Sequence, residues 1–225
     1  MRSFTLALLL LAPAAASAQG IFRTPSLRSD PTRTNYALRS ETSCVSNLVQ
    51  APWTGQGATE TCTSDSASSP FGAATAETFT FPSGTTSIYQ TPTTATASTF
   101  TAGEWFSATS GTTSMVAGMQ CPAANNALSC GCSRSDGVFC TATPSTRFCY
   151  APTTVGTTPV RVSVSITCTT PHTTPTWQFC MGAGTCPSAT TGTLVAWGSQ
   201  LEVGTGLTKY IATTTAAVKR VRRVI

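Results

Sequence analysis

The 225-residue chain carries charge on only 9% of its residues and a formal net charge of +5. Past the apolar run 4–12 at its start, itself too short to span a bilayer, it shows no helical hydrophobic period, which excludes a coiled coil or helical bundle, and no further long apolar segment. The basic excess lies at the two ends. Arg23, Arg28, Arg33 and Arg39 precede the first cysteine, and Lys219, Arg220, Arg222 and Arg223 crowd the last residues, whereas the body between Cys44 and Tyr210 is slightly acidic. That distribution argues against a nucleic-acid partner and leaves two basic tails.

In chain order, Arg2, the apolar run 4–12 and the small residues Ala16-Ser17-Ala18 before Gln19 predict a signal peptide over 1–18. No cysteine follows the cleavage point to carry a lipid, so the mature chain is expected outside the cytoplasm, secreted, periplasmic or at a cell surface, with no membrane insertion. Residues 19–43, polar and basic with Pro25 and Pro31, read as an extended arm. From Cys44 to residue 218 the chain reads as one all-β domain, a β-sandwich or jelly roll stapled by disulfides, and 219–225 as a basic tail.

Threonine and serine abound in that body. Threonine is β-branched and suits a half-buried pleated surface. Short strands are expected at 77–81, 86–90, 105–108, 138–141, 147–150 and 177–181, with turn clusters such as Pro82-Ser83-Gly84 and Gly182-Ala183-Gly184 between them. The threonine-rich stretch 91–101 reads as loop. The clearest strand is 160–168, where Val160, Val162, Val164, Ile166 and Cys168 alternate with polar residues. A second runs over 195–203, with Val195, Trp197, Leu201 and Val203 expected on one side.

Ten cysteines, Cys44, Cys62, Cys121, Cys130, Cys132, Cys140, Cys149, Cys168, Cys180 and Cys186, suggest full pairing in an oxidising compartment. Locality favours Cys168 or Cys186 as partner of Cys180, and Cys140 with Cys149, while Cys130 and Cys132 stand too close to bond each other without strain. Paired C-x-x-C knuckles are missing and His172 is the single histidine, so no metal and no cofactor is expected. A Ser-His-Asp triad would have to use that His172, and no G-x-S-x-G elbow accompanies it. Glycoside hydrolysis needs two carboxylates flanking a cleft; Glu60, Glu77, Glu104 and Glu202 are available, but spacing pairs none of them. The chain is therefore read as non-catalytic.

Sugar binding needs less: an exposed aromatic ring for the apolar face of a pyranose and polar groups around it. Trp105, Trp177 and Tyr89 are the candidate ligand-binding residues.

Specific residues also carry a resemblance. Trp197-Gly198-Ser199-Gln200-Leu201-Glu202-Val203-Gly204, followed by Tyr210-Ile211-Ala212-Thr213-Thr214-Thr215-Ala216-Ala217-Val218-Lys219-Arg220, is similar to the W-G-A-Q-L-E-x-G and Y-I-P-T-T-x-A-A-V-T-R ending of a β jelly-roll family found in bacteriophage tail-fibre and head-fibre proteins. That family is similar in architecture to carbohydrate-binding modules. Further upstream Asn47-Leu48-Val49, Trp53-Thr54, Phe71-Gly72, Thr75-Ala76-Glu77, Thr101-Ala102-Gly103-Glu104-Trp105-Phe106-Ser107 and Arg147 resemble other segments of it in the same order. The resemblance implies a single sandwich domain over roughly 47–220, with Trp53 and Trp197 in its core. The export signal and the cysteines depart from the family's pattern. The expected function is a secreted module attaching to glycans at a cell surface; the alternative is a structural or adhesin-like fibre component that associates with copies of itself and has no sugar specificity.

Overall fold

The computed structural model describes residues 33–38, 44–45, 48–56, 60–82, 86–122, 127–133, 141–143, 148–213 and 216–220. The chain divides into 1–30 and 31–225, and only the second unit holds described residues; the expected signal peptide lies outside them. In chain order the strands are β1 (Arg33–Asn35), β2 (Cys44–Val45), β3 (Leu48–Val49), β4 (Thr54–Gln56), β5 (Thr61–Ala67), β6 (Ala76–Phe81), β7 (Ser87–Gln90) and β8 (Ala97–Ser107). They continue with β9 (Thr112–Gln120), β10 (Ala127–Ser133), β11 (Thr141–Thr143), β12 (Phe148–Gly156), β13 (Val160–His172), β14 (Thr176–Met181), β15 (Gly192–Val203) and β16 (Val218–Arg220). No helix occurs among the described residues.

The protein is all-β. One antiparallel sheet has the order β10-β13-β8-β15-β6-β5 and the other β11-β12-β9-β14-β7-β4, a sandwich-like arrangement whose inner faces share one core. Phe179 of β14 shows how the layers meet: its ring stands edge-on to Phe79, Phe81 and Phe106 of the first sheet, with centroids at 5.4, 6.4 and 5.2 Å, and to Trp53 at 6.0 Å. All five rings are buried, and edge-to-face contacts among aromatic rings add to what their lost water contact already contributes.

The alternation of β13 is as the sequence implies, with Val162, Val164, Ile166 and Cys168 buried in the core. β15 differs. Leu194, Ala196 and Leu201 face the core, while Val195 and Trp197 belong to a separate apolar cluster on the outer face. The one-sided pattern expected for 195–203 fails because the register slips between Trp197 and Gln200, where Gly198 takes φ +70°. An extra residue in a strand shifts the side-chain phase. The stretch 91–101 also departs from expectation, since β8 begins at Ala97 and its Thr99 and Thr101 pair with Thr167 and Ser165 of β13.

The bulge leaves backbone groups that need partners, and Asn35 supplies them. Its Nδ2 donates to Ser199 O at 3.2 Å and Ile211 O at 2.7 Å. Its Oδ1 accepts from Leu201 N at 2.9 Å and Ala37 N at 3.0 Å. A fully buried amide is tolerated when all its hydrogen-bonding capacity is used. Residues 33–38, read from sequence as part of an arm, are thus built into the body, and β1 pairs with β16, which reaches into the expected basic tail. Leu38 continues the attachment, accepting from Gln90 Nε2 and Trp53 Nε1 and donating to Gln90 Oε1.

Three disulfides are described: Cys44–Cys62, Cys121–Cys168 and Cys180–Cys186. Cys149 is disulfide-bonded as well. Of the two partners expected for Cys180, Cys186 is the one it bonds; Cys168 instead reaches Cys121, which joins the end of β9 to β13. The Cys140–Cys149 expectation and the side chains of Cys130 and Cys132 lie outside the described residues. No helix among the described residues is long and apolar enough to cross a membrane.

Candidate functional site

The outer face of the first sheet carries an aromatic ledge. Trp105 on β8 and Trp197 on β15 are directly opposite each other in the register, and cross-strand neighbours on one face touch. Their rings lie 5.4 Å apart, Tyr210 stands 5.6 Å from Trp105 and 4.7 Å from Trp197, and Phe71 stands 6.1 Å from Trp105 and 5.3 Å from Trp197. A Cβ at Gly198 would meet Trp105 Cε3 at 3.0 Å and Tyr210 Cε2 at 3.3 Å, so the bulge glycine lets these two rings close over the backbone.

Phe71 is 70% exposed, held out on a hydrogen-bonded turn. Ser69 N donates to Ala73 O at 2.6 Å, Gly72 N to Ser69 O at 3.0 Å, and Gly72 has φ +87°. Trp197 is fixed from below by its Nε1 donating to Thr75 Oγ1 at 3.0 Å. On the other side Arg161 lies over the Trp105 ring at 4.4 Å, a cation–π contact. Its guanidinium also donates to Gln200 Oε1 at 2.7 Å and Thr208 O at 3.2 Å. Burial pushes the Arg161 pKa down, partly offset by Glu202 and Tyr210 nearby.

Next to the ledge runs a trough of about 340 Å³ with Ser66, Ser69, Thr78, Ser107 and Thr109 in its walls. Ala67 and Val195 line it and also pack in the aromatic cluster, so the hydroxyl-rich trough and the ledge are contiguous. Among the described residues that line the trough, none is charged.

The sequence-predicted residues separate in space. Trp105 is half-buried in the ledge. Trp177 is 1% exposed and belongs to the core, so it offers a ligand no surface; the strand alternation of β14 turns it inward with Phe179. Tyr89 is half-buried on the outer face of the second sheet and lines a groove there. Trp53 is in the core as expected, whereas Trp197 is buried in the outer cluster rather than the main core. Phe71, Tyr210 and Arg161 complete the ledge without having been singled out as ligand contacts. A phenylalanine between Pro70 and the positive-φ Gly72 is the local signal that sets Phe71 apart.

The carboxylates are placed by the same alternation. Glu104 and Glu77 point into the sandwich, and Glu202 is buried beneath the segment 204–210, accepting from Thr208 N at 3.2 Å and Thr208 Oγ1 at 2.6 Å. Burial raises the Glu104 pKa to about 8, with the Glu77 charge adding to the rise and hydrogen bonds from Trp177 and Ser199 opposing it. Glu60 packs against Gly55 and has its pKa raised by burial. Cys121, Cys168 and His172 lie close together, but the two sulfurs are joined in a disulfide and provide no thiolate for a metal. Burial lowers the His172 pKa.

No protein-family model matches the chain, and no curated protein matches it. Among solved structures it is similar to the enzymatically active domain of tailspike protein 4 of bacteriophage CBA120, at 13% identity and a TM-score of 0.32, over 74% of this chain and 21% of that one. The chain thus spans about a fifth of that protein. The expectation that the chain is not an enzyme is withdrawn on this finding, because the neighbour is an enzymatically active domain; a likeness this slight does not argue for any particular activity here.

Proposed function

We propose that the chain is an exported, disulfide-bonded binding module that attaches to uncharged glycans at a cell surface through the ledge of Phe71, Trp105, Trp197 and Tyr210. The observation that carries this reading is Phe71, a large apolar ring left 70% exposed on an ordered turn. Beside it lie two indoles and a trough walled by serine and threonine hydroxyls. A pyranose presents one apolar face of C–H groups and a rim of hydroxyls, and ring stacking with neighbouring hydroxyl partners matches both. The uncharged trough suits a neutral sugar.

The same exposed ring supports a second reading, a fibre-like component in which copies of the chain cover Phe71 against one another. Glycan-array binding combined with sedimentation separates the two. In the first reading the protein stays monomeric and Phe71→Ala or Trp105→Ala weakens glycan retention about tenfold or more. In the second the parent protein is oligomeric without retaining any glycan, and Phe71→Ala dissociates it.

A further inference from the structure

We infer that the outer face of the second sheet holds a separate binding groove for an uncharged saccharide, so that one molecule contacts two sugar chains, one on each face. The groove has a volume of about 700 Å³ and is lined by Gln56, Tyr89, Gln120, Thr176 and Gln178 together with the Cys186-Pro187 segment. It does not depend on the ledge.

Register places these residues together. Gln178 of β14 lies opposite Tyr89 of β7 on one side and Gly118 of β9 on the other, and Thr176 lies opposite Gln120. The glycine matters because a Cβ at 118 would meet the Tyr150 ring at 2.8 Å; without one, that ring lies down on the sheet beside Gln178. The Tyr150 hydroxyl donates to Cys186 O at 2.8 Å, and the Cys180–Cys186 disulfide ties this rim to β14.

Gln178 is the decisive residue. It is only 3% exposed, and its Nε2 is buried without a hydrogen-bond partner. Burial raises the Tyr150 phenol to about 12, and the Gln178 side chain beside it partly offsets that rise. Leaving a buried amide donor unmatched is unfavourable, and a ligand oxygen entering the groove would satisfy it. Three glutamine amides and a threonine hydroxyl each combine donor and acceptor capacity, which matches the hydroxyls of a sugar, and the Tyr89 ring offers a stacking surface. Among the described residues no charged side chain lines the groove, and the Glu60 carboxyl against Gly55 at its margin opposes an anion.

The test is a titration of isotope-labelled full-length secreted protein with chitohexaose, laminarihexaose and mannohexaose, with a galacturonate oligomer as the anionic control, followed by NMR. At least one neutral hexasaccharide is expected to shift the Gln178 side-chain amide and the backbone signals of Tyr89 and Gly118, and the galacturonate to shift none. Gln178→Leu, which removes the unmatched donor and leaves thermal stability unchanged or raised, is expected to weaken binding at this groove about tenfold. Tyr89→Ala, on a half-exposed site, provides the same readout if the leucine variant folds poorly. Shifts confined to β8 and β15 around Trp105 and Trp197 would overturn the groove and leave the ledge standing. Shifts confined to Gln178 and Tyr89 would support the groove and count against the ledge. Binding at Gln178 that survives both substitutions, or no shift there with any neutral sugar, would overturn the inference.

Discussion

The indole nitrogen of Trp177 donates to Glu104 Oε2 at 3.1 Å, joining β14 of one sheet to β8 of the other through the interior of the sandwich. A buried acid facing the core is stable in its neutral form, and its pKa of about 8 follows from that burial. The folded-state value lies above the ordinary one, so Glu104 stabilises the fold fully below its unfolded value of 4.5, and this contribution is lost as pH rises to about 8. The slope within that window is at most about 1.4 kcal/mol per pH unit. Glu104→Gln keeps an acceptor for Trp177 and removes the titration. Its unfolding midpoint is expected to match the parent most closely below pH 4 and to exceed it at pH 9. An equal difference at both values would contradict the assignment.

Asn35 holds four backbone groups at the β15 bulge and its surroundings. Replacing it with leucine orphans buried donors and acceptors that each cost about 1–3 kcal/mol to leave unmatched. Urea unfolding is expected to show a loss of about 3 kcal/mol or more with an unchanged slope. Asn35→Asp retains only the acceptor side and should also destabilise. A neutral effect would mean that 33–38 does not hold the bulge in place.

The disulfides differ in the chain they close. Cys121–Cys168 spans 47 residues and Cys180–Cys186 only 6. Loop-closure entropy gives about 4 kcal/mol for the first and about 2 kcal/mol for the second. Paired serine substitutions, compared by denaturant unfolding, should reproduce that order; a reversed order would show that unfolded-state entropy is not the controlling effect.

At Gly198 both backbone and space require glycine. An alanine there must adopt φ +70° while its methyl meets Trp105 and Tyr210. Gly198→Ala is expected to destabilise by about 1–3 kcal/mol and to separate the ledge rings, visible as a changed near-ultraviolet circular dichroism spectrum. An unaltered spectrum would show that the rings do not rely on the bulge.

What the sequence discloses follows from how local each feature is. β13 is legible because Val162, Val164, Ile166 and Cys168 keep one phase throughout. β15 is half legible: the alternation is visible, but Gly198 resets it, and a positive-φ residue cannot be read from hydrophobic pattern. β9 is not legible because Ala117 and Gly118 are poor strand formers, and Gly118 takes its place under the Tyr150 ring of another strand. Trp177 illustrates the same limit, since only the pairing of two sheets decides that it meets Glu104 rather than solvent. The ledge needs Phe71, Trp105, Trp197 and Tyr210 from four separate segments. Trp105 could be nominated as a single aromatic, while the site it belongs to exists only once β8 and β15 are side by side.

The most direct test of the proposed glycan attachment is tryptophan fluorescence during titration of the protein with neutral oligosaccharides, run in parallel on Phe71→Ala. The substitution lies at an exposed position and should leave the fold intact. The account predicts a saturable change in the parent, weakened by about tenfold or more in the variant, since an exposed stacking ring contributes about 1–2 kcal/mol. Equal binding by parent and variant, or no saturable change with any neutral oligosaccharide, would contradict it.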